Sequence, residues 1–129
     1  MAIRAELTGN LTKNPVMKPV TVDGETRRIC EMRVFNDVGK KVGGEWVQDD
    51  DKSTGVDVTI WNENLAQHVI NHFRKGARVL VIGDLYLNEY QDADDAHHAG
   101  LRMNAESVGL QPYRLEQVVF RQREPAEAG

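Results

Sequence analysis

The chain has 129 residues, 40% of them hydrophobic, and a formal net charge of -4 from 16 Lys and Arg against 20 Asp and Glu. This length suits one compact domain with one core, and no apolar run approaches the roughly eighteen residues of a membrane span. The first residues lack the apolar run of a secretory signal, so we expect a cytoplasmic protein with no membrane partner. An acidic chain does not favour simple electrostatic capture of duplex DNA, although basic side chains can still line a local groove.

Two strands are predicted in the first third of the chain. Residues 3–11 alternate loosely and run into the turn signal Asn14-Pro15. A second strand follows the hairpin dipeptide Asp23-Gly24, and its alternation separates Arg33 and Phe35 from the apolar face that carries Cys30. Because a lone cysteine cannot form an internal disulfide, we interpret Cys30 as a small buried apolar residue.

A long polar stretch lies between Gly39 and Gly55. It contains Trp46 and three consecutive aspartates at 49–51. Loops of this length are uncommon inside compact domains unless they are functional or mobile. We therefore predict a loop whose tryptophan is either a mobile stacking ring or the anchor of a lid, with the neighbouring glycines favouring mobility.

The third predicted strand, residues 56–61, alternates strictly and ends at Trp61. One face carries Val56, Val58 and Ile60 and is predicted to be core, whereas the other face is polar apart from the tryptophan. A large apolar ring on an otherwise polar sheet face usually marks a surface that binds a partner. For a ring on a curved set of strands, the natural partner is an unstacked nucleic-acid base.

The second half of the chain predicts one helix and three strands. The helix begins after the cap residue Asn62 and ends at Gly76, with apolar residues at helical spacing on one side. Residues 78–90 form one long strand, in which Gly83 permits the bend or bulge that closes small barrels. After a loop, residues 101–110 supply another strand, and the alternation over 113–121 predicts one more.

The predicted order of strand, strand, strand, helix, strand, strand is that of a five-stranded OB-fold barrel, in which the helix between strands 3 and 4 plugs one end. The predicted fold class is all-β with one helix, plus an extra C-terminal strand. The expected divisions are an OB-fold domain over 1–111, an extension strand over 112–121 and a flexible tail over 122–129.

The sequence offers little support for an enzyme. It has no glycine-rich phosphate loop, no serine elbow and no paired cysteine ligands. His68 and His72 lie four residues apart on the predicted helix and could share a metal, but a zinc site needs three or four protein ligands. We interpret them, and the pair His97-His98, as solvated histidines. We therefore expect neither catalysis nor a cofactor.

Aromatic and basic residues together predict a surface for single-stranded nucleic acid. Tyr86 and Tyr90 share one face of the long strand, and Trp61 ends a neighbouring strand. A base stacked on an exposed ring contributes about 1–3 kcal/mol, so two or three rings supply micromolar-class binding without sequence recognition. For Phe35 and Tyr86, packing under loops or at a subunit interface remains an equal alternative. The candidate DNA-binding residues are the rings Trp61, Tyr90, Trp46, Tyr86 and Phe35 and the cations Arg33, Lys13, Lys40, Lys41 and Lys75.

Several segments resemble the bacterial single-stranded-DNA-binding protein family. Residues 9–15 (GNLTKNP) are similar to its opening motif, residues 60–66 with 75–79 to its strand-helix-strand centre, and residues 83–85 before Tyr90 to the segment that follows. The resemblance covers about residues 3–110. It implies an OB barrel that binds single-stranded DNA in replication, recombination and repair, with the stacking rings at Trp61 and Tyr90.

Residues 108–110 and 113–115 resemble the branch of the family found in mycobacteria and their relatives. This resemblance implies a homotetramer in which the extra strand hooks a neighbouring subunit. Such pairing suits an alternating segment that has no place inside a closed five-stranded barrel. Residues 124–129 lack the acidic, aromatic tip that is typical of the family, so we expect no recruitment of repair enzymes through such a tip.

Four positions depart from the family pattern. Gly55 stands where many members have an aromatic residue, and Asp57, Asn88 and Glu89 stand where basic or neutral residues are common. Each lost phosphate contact makes the slope of log binding constant against log salt concentration about 0.7 less steep. We therefore expect binding to depend on stacking and to be less salt-sensitive than usual. The alternative function is a protein-interaction OB-fold paralogue with weak or no DNA binding. Single-stranded RNA is a further alternative, since the same rings would accept it.

Overall fold

The computed structural model describes residues 2–122. Its barrel is a ring of five strands in the order β1, β7, β8, β6, β3, which closes because β1 pairs again with β3. The predicted OB-fold barrel with one helix is therefore confirmed. No helix in this part of the chain is both long and apolar enough to cross a membrane. The elements are β1 (Ile3–Leu11), β2 (Val16–Val22), β3 (Glu25–Asn36), β4 (Gly39–Val42), β5 (Glu45–Gln48), β6 (Thr54–Ile60), α1 (Glu63–His72), β7 (Arg78–Gln91) and β8 (His97–Leu110).

The inward faces of the barrel strands and one face of α1 form a single core. The predicted core face of β6 is confirmed, because Val56, Val58 and Ile60 are all buried. Ala66 and Val69 of α1 belong to the same core cluster, so the helix packs its apolar side against the barrel as expected. The other fully or nearly buried members include Leu11, Met32, Val34, Val79, Val81 and Met103.

Cys30 lies in this core with no exposed surface. Its burial, and secondarily the charge of the neighbouring Glu31, raises the pKa of the thiol to about 11. The thiol is thus protonated at neutral pH and is a poor nucleophile. The interpretation of Cys30 as a buried apolar residue is confirmed.

Two hairpins add strands that were not predicted. Asp23 and Gly24 both have positive φ (51° and 80°), as a type I′ turn requires, and they join β3 to β2, which lies at the edge of the sheet. The prediction of a continuous loop between Gly39 and Gly55 is wrong, because β4 and β5 pair around a second such turn at Gly43-Gly44. Both short strands are exposed along their whole length, so they carry no buried alternation by which a sequence pattern could reveal them.

The helix starts as predicted but ends earlier. The side-chain oxygen of Asn62 accepts a hydrogen bond from the backbone N–H of Leu65 at 3.0 Å, which is N-capping geometry. At the other end, Phe73 is already extended while its N–H donates to the carbonyl of Val69, so α1 stops at His72 rather than Gly76. The intervening residues form the turn into β7, with Gly76 at φ 89°.

The predicted strand over residues 113–121 is not formed in the single chain. Residues 113–122 have no regular secondary structure, and Val118, Val119 and Phe120 are exposed. The physical reason is that alternation alone does not make a strand: its backbone needs hydrogen bonds from a neighbouring strand, and no described strand pairs with this segment. The hook of a second subunit stays a prediction. Of the predicted tail, residues 123–129 lie outside the described part.

Gly83 lies at the bulge predicted for the long strand. The register of β7 against β8 shifts between Ile82, opposite Ser107, and Gly83, opposite Ala105. A methyl group on Gly83 would collide with the backbone carbonyl oxygen of Asn104. The glycine is therefore required where two strands approach closely at the bend of the barrel.

Replacing Gly83 by Ala should destabilise the protein by about 1–3 kcal/mol, because the clash is with backbone that can move only by disturbing the ladder. Urea unfolding followed by circular dichroism measures this difference. Gly100→Ala is the matched control, since nothing lies within 4 Å of its added methyl group. Equal stability of the two variants would contradict the assignment of Gly83 as an obligatory bulge residue.

Candidate nucleic-acid interface

The outward residues of four barrel strands form one continuous surface. In register, Arg33 of β3 lies opposite Asp57 of β6, Asp57 lies beside Arg102 of β8, and Arg102 lies opposite Tyr86 of β7. Residues directly opposite each other in a ladder project to the same side of a sheet. These four side chains therefore make a cross-strand row on the outside of the barrel.

A cleft of about 580 Å³ opens along this row. Residues of β3, of β6 and of the outer half of the β7–β8 hairpin line the cleft, and this hairpin extends beyond Thr54, the first residue of β6. We call the cleft and the adjoining row the outer groove. Its residues include Arg33, Gly55, Asp57, Tyr86, Asn88, Tyr90, Gly100 and Arg102.

Trp61 lies on the outer side of the barrel, directly after β6. Its ring nitrogen donates a hydrogen bond to the side-chain oxygen of Asn104 at 3.0 Å, and 38% of the residue is exposed. Asn104 is in register with Thr59, so the indole stands on the same face as the cross-strand row. The indole is thus held at its polar edge while part of its surface is free to contact a ligand.

Tyr90 is the most exposed ring of the outer groove, at 53%. The ring of His98 stacks on it, with centroids 5.3 Å apart and an angle of 21° between the planes. His98 in turn contacts Asp92, and His98 Nε2 lies 2.6 Å from Asp92 Oδ2. This hydrogen bond lowers the pKa of Asp92, and a second one from the backbone N–H of Ala96 lowers it further. One ring face of Tyr90 is therefore braced by a histidine.

Tyr86 and Phe35 are partly buried on the same outer face. Tyr86 lies opposite Arg102, and Phe35 lies opposite Gly55. Neither ring is among the exposed large hydrophobic residues of the described chain. They lie on the same outward face as Tyr90 and Trp61 but have less exposed surface.

Trp46 lies on the β4–β5 hairpin, away from the cross-strand row. It is half exposed, and its indole covers Gly39 on the opposite strand. Lys41 is in register with Trp46 and shares its face, whereas Lys40 is opposite Val47 on the other face. Lys40 lines a separate cleft with the aspartates at 49–51. The hairpin thus brings Lys41, but not Lys40, to the side of the tryptophan.

The remaining predicted cations have different surroundings. Arg33 forms an ion pair with Asp57, with Nη1 2.9 Å from Oδ1. Lys13 lines a smaller cleft of about 230 Å³ that shares Asp57 and Arg102 with the outer groove. Lys75 donates its backbone N–H to the side-chain oxygen of Asn14 and lines neither of these two clefts. The structure therefore places Arg33 in the outer groove and Lys13 in the cleft beside it, and it leaves Lys75 outside both.

The sequence analysis missed Arg102, which lies centrally in the outer groove. Its side chain is exposed, and within residues 2–122 it forms no ion pair. Alternation along residues 101–104 contains the signal: Met103 is buried and Leu101 is half-buried against the core, so Arg102 and Asn104 face outward. Applying this pattern to β8 as well as β6 would have identified the residue.

The helix histidines do not form part of a metal site in the described chain. The rings of His68 and His72 stack with centroids 6.1 Å apart on the exposed side of α1. Across residues 2–122, no three His, Cys, Asp or Glu side chains come together in a group that could hold a metal ion.

The fold and the outer groove define an OB-fold barrel with an aromatic and basic outer face. The model of the single-strand binding protein family matches residues 3–111, and the chain belongs to this family. No curated protein sequence matches the chain.

Three solved structures share the fold. A small single-stranded DNA-binding protein from Streptomyces coelicolor is 17% identical with a TM-score of 0.73, over 88% of this chain and 97% of that chain. The Plasmodium falciparum protein in complex with single-stranded DNA is 13% identical with a TM-score of 0.64, over 84% and 93%. The mitochondrial protein Rim1 of S. cerevisiae is 15% identical with a TM-score of 0.55, over 85% and 95%. At these identities the likeness concerns the fold.

Replacing Asn104 by Ala should loosen the indole of Trp61, because its ring nitrogen loses its hydrogen-bond partner. In a Trp46→Phe background, acrylamide quenching and fluorescence anisotropy report on Trp61 alone. We expect faster quenching and lower anisotropy. Asn88→Ala, a change at another outward asparagine, is the control and should leave both values unchanged; identical signals in the two variants would argue against the Asn104 contact.

Proposed function

We propose that the protein binds single-stranded DNA without sequence preference, using the outer groove. The observation that supports this most directly is the gathering of Trp61, Tyr86, Tyr90 and Arg102, a cation with no ion-pair partner among residues 2–122, on one outward face of the barrel. Rings offer a stacking surface to any base, and a cation between them can contact the phosphates. No base-specific pattern is required for such binding.

Stacking supplies most of the affinity in this proposal. Three rings at about 1–3 kcal/mol each contribute about 3–9 kcal/mol, and the upper end of this range reaches the roughly 8 kcal/mol of a micromolar complex. The electrostatic contribution is smaller, because Asp57 neutralises Arg33 within the groove. The expected salt slope is shallow, at about -0.7 for each phosphate contact retained. Trp46 and Lys41 extend the surface along the β4–β5 hairpin.

Family membership is the support for the biological setting that we propose. Membership supports a non-enzymatic role in protecting single strands during replication, recombination and repair, in the cytoplasm. The fold shared with the Plasmodium protein, whose structure holds single-stranded DNA, supports the same ligand class. We propose DNA rather than RNA on this basis, since the rings by themselves accept both.

Assembly as a homotetramer is part of the proposal. Residues 113–120 expose five large apolar side chains along one short segment, which is unusual for a surface that stays in water. Pairing of this segment with a neighbouring subunit would cover them and give the alternating pattern a strand partner. These exposed side chains are Tyr113, Leu115, Val118, Val119 and Phe120.

A protein-interaction module is the second candidate function. It is favoured by one observation, the ion pair between Arg33 and Asp57, which removes a cation from the place where DNA phosphates would need it. A protein partner would use the same exposed rings without requiring free positive charge. The two functions differ in their response to oligonucleotides.

Titration with poly-dT, followed by tryptophan fluorescence at low and high salt, tests the DNA proposal. We expect quenching at micromolar protein, and in the Trp46→Phe background the remaining quench belongs to Trp61. Trp61→Ala should weaken binding by about 1–3 kcal/mol, whereas Trp61→Phe keeps a ring and should lose less. Arg102→Gln should make the salt slope about 0.7 less negative.

Arg27→Gln is the matched control for Arg102→Gln. Arg27 is also exposed, but it lies near the β2–β3 turn, about 20 Å along β3 from Arg33. It should leave affinity and slope unchanged. Unchanged emission with no mobility shift in the wild-type protein would reject DNA binding and favour the protein-interaction module. A variant that fails to fold by circular dichroism would show instead that the ring is structural.

Deletion of residues 113–129 tests the subunit hook. Analytical ultracentrifugation should show a tetramer for the full chain and a smaller or more readily dissociating species for the deletion, because the buried apolar contact is lost. Urea unfolding of the two proteins at high dilution checks that the barrel itself is intact. A tetramer of unchanged stability would exclude the hook.

A further inference from the structure

The guanidinium group of Arg33 lies flat on the backbone of Gly55. A Cβ atom built on Gly55 would be nearest to Nη2, then 2.7 Å from Cζ and 2.9 Å from Nε. The three distances together place the point above the guanidinium plane, because no point in that plane can have all three of them at once. Any side chain at position 55 would have to displace the guanidinium group, so the absence of a Cβ lets the plane rest there.

Asp57 holds the same group from the side. Its Oδ1 accepts a hydrogen bond from Arg33 Nη1 at 2.9 Å. One face of the guanidinium is therefore covered by Gly55, and one edge is fixed by a carboxylate. The side chain of Arg33 is nevertheless 44% exposed and lines the cleft. Of the two planar faces of the guanidinium, the one opposite Gly55 is covered by neither of these two contacts.

A guanidinium fixed in this way is suited to a base rather than to a phosphate. Its charge is already compensated by Asp57, so little counterion release remains to be gained from a phosphate contact. Its flat, delocalised and weakly hydrated face remains available, and such faces stack on nucleobases. A flexible lysine at this position would offer no planar face.

We propose that Arg33 is a base-stacking platform of the outer groove and that Asp57 is the residue that positions it. This inference rests on the proposed function and refines it, because Arg33 changes from a phosphate contact to a stacking group. Arg33 lies in the same cross-strand row as Tyr86, three strand spacings or about 14 Å away. A single strand in the groove would thus meet stacking surfaces on both sides of Arg102.

The test compares poly-dT affinity and salt slope for the wild type, Arg33→Lys and Asp57→Asn. Arg33→Lys keeps the charge but removes the plane, so affinity should fall about fivefold or more with an unchanged salt slope. Asp57→Asn should also weaken binding, because the guanidinium loses its fixed orientation. A phosphate role predicts the opposite pattern: Arg33→Lys would bind like the wild type, and Asp57→Asn would bind more tightly with a steeper slope. Either of these outcomes overturns the proposal.

A double-variant cycle separates positioning from a general structural effect. If Asp57 acts through Arg33, then Asp57→Asn should cost no further affinity once Arg33 is Lys. An additive further loss would reject the positioning role. Arg27→Lys, on the same strand but outside the outer groove, is the control and should bind as the wild type does. All variants change exposed side chains, and circular dichroism with urea unfolding verifies that each is folded.

The proposed function and this inference fail in different ways. No quenching of the wild-type protein by poly-dT would remove the DNA proposal itself. Normal wild-type binding that depends on Trp61 but not on the planar side chain at position 33 would leave the DNA proposal intact and overturn only the stacking role of Arg33.

Discussion

The parallel ladder between β6 and β8 is the constraint on which the candidate interface depends. Four residue pairs, from Val56 beside Leu101 to Thr59 beside Asn104, join strands that are about 45 positions apart in the chain. This register places Asp57 next to Arg102 and Asn104 within reach of Trp61. A slip of one residue would turn the outward side chains of one strand into the core, and the buried Val58 and Met103 oppose such a slip.

The chain is acidic overall, but the charges of the outer groove do not exclude an anionic ligand. Asp57 lies between two arginines in the cross-strand row, and it pairs with Arg33 while Arg102 has no ion-pair partner among residues 2–122. The groove therefore has one compensated cation and one uncompensated cation beside its rings. This arrangement favours recognition by planar surfaces over recognition by net charge, because stacking does not depend on counterion release.

Two glycines, Gly83 and Gly55, allow close contacts that a side chain would block. At Gly83 the missing side chain lets β7 and β8 approach at the bulge, which bends the sheet and closes the barrel. At Gly55 the missing side chain leaves room for the guanidinium of Arg33 above the backbone. Gly83 thus contributes to the fold, whereas Gly55 contributes to the shape of the candidate site. In both, a methyl group would meet atoms that are already fixed by other contacts.

The sequence alone determined the barrel strands, the capped helix and the faces of β3 and β6, because alternation and helical spacing record which side chains are buried. It also placed Trp61, Tyr86 and Tyr90 on the outer surface. It did not reveal β4 and β5, which are exposed on both faces. It also could not tell that Lys40 and Lys75, which were predicted to bind DNA, do not line the outer groove. Only the tertiary structure decided that Arg102 is central, that Arg33 is paired with Asp57, and that residues 113–121 find no strand partner among residues 2–122. Those outcomes depend on which strands become neighbours and in what register, and local patterns carry no information about pairing between distant segments.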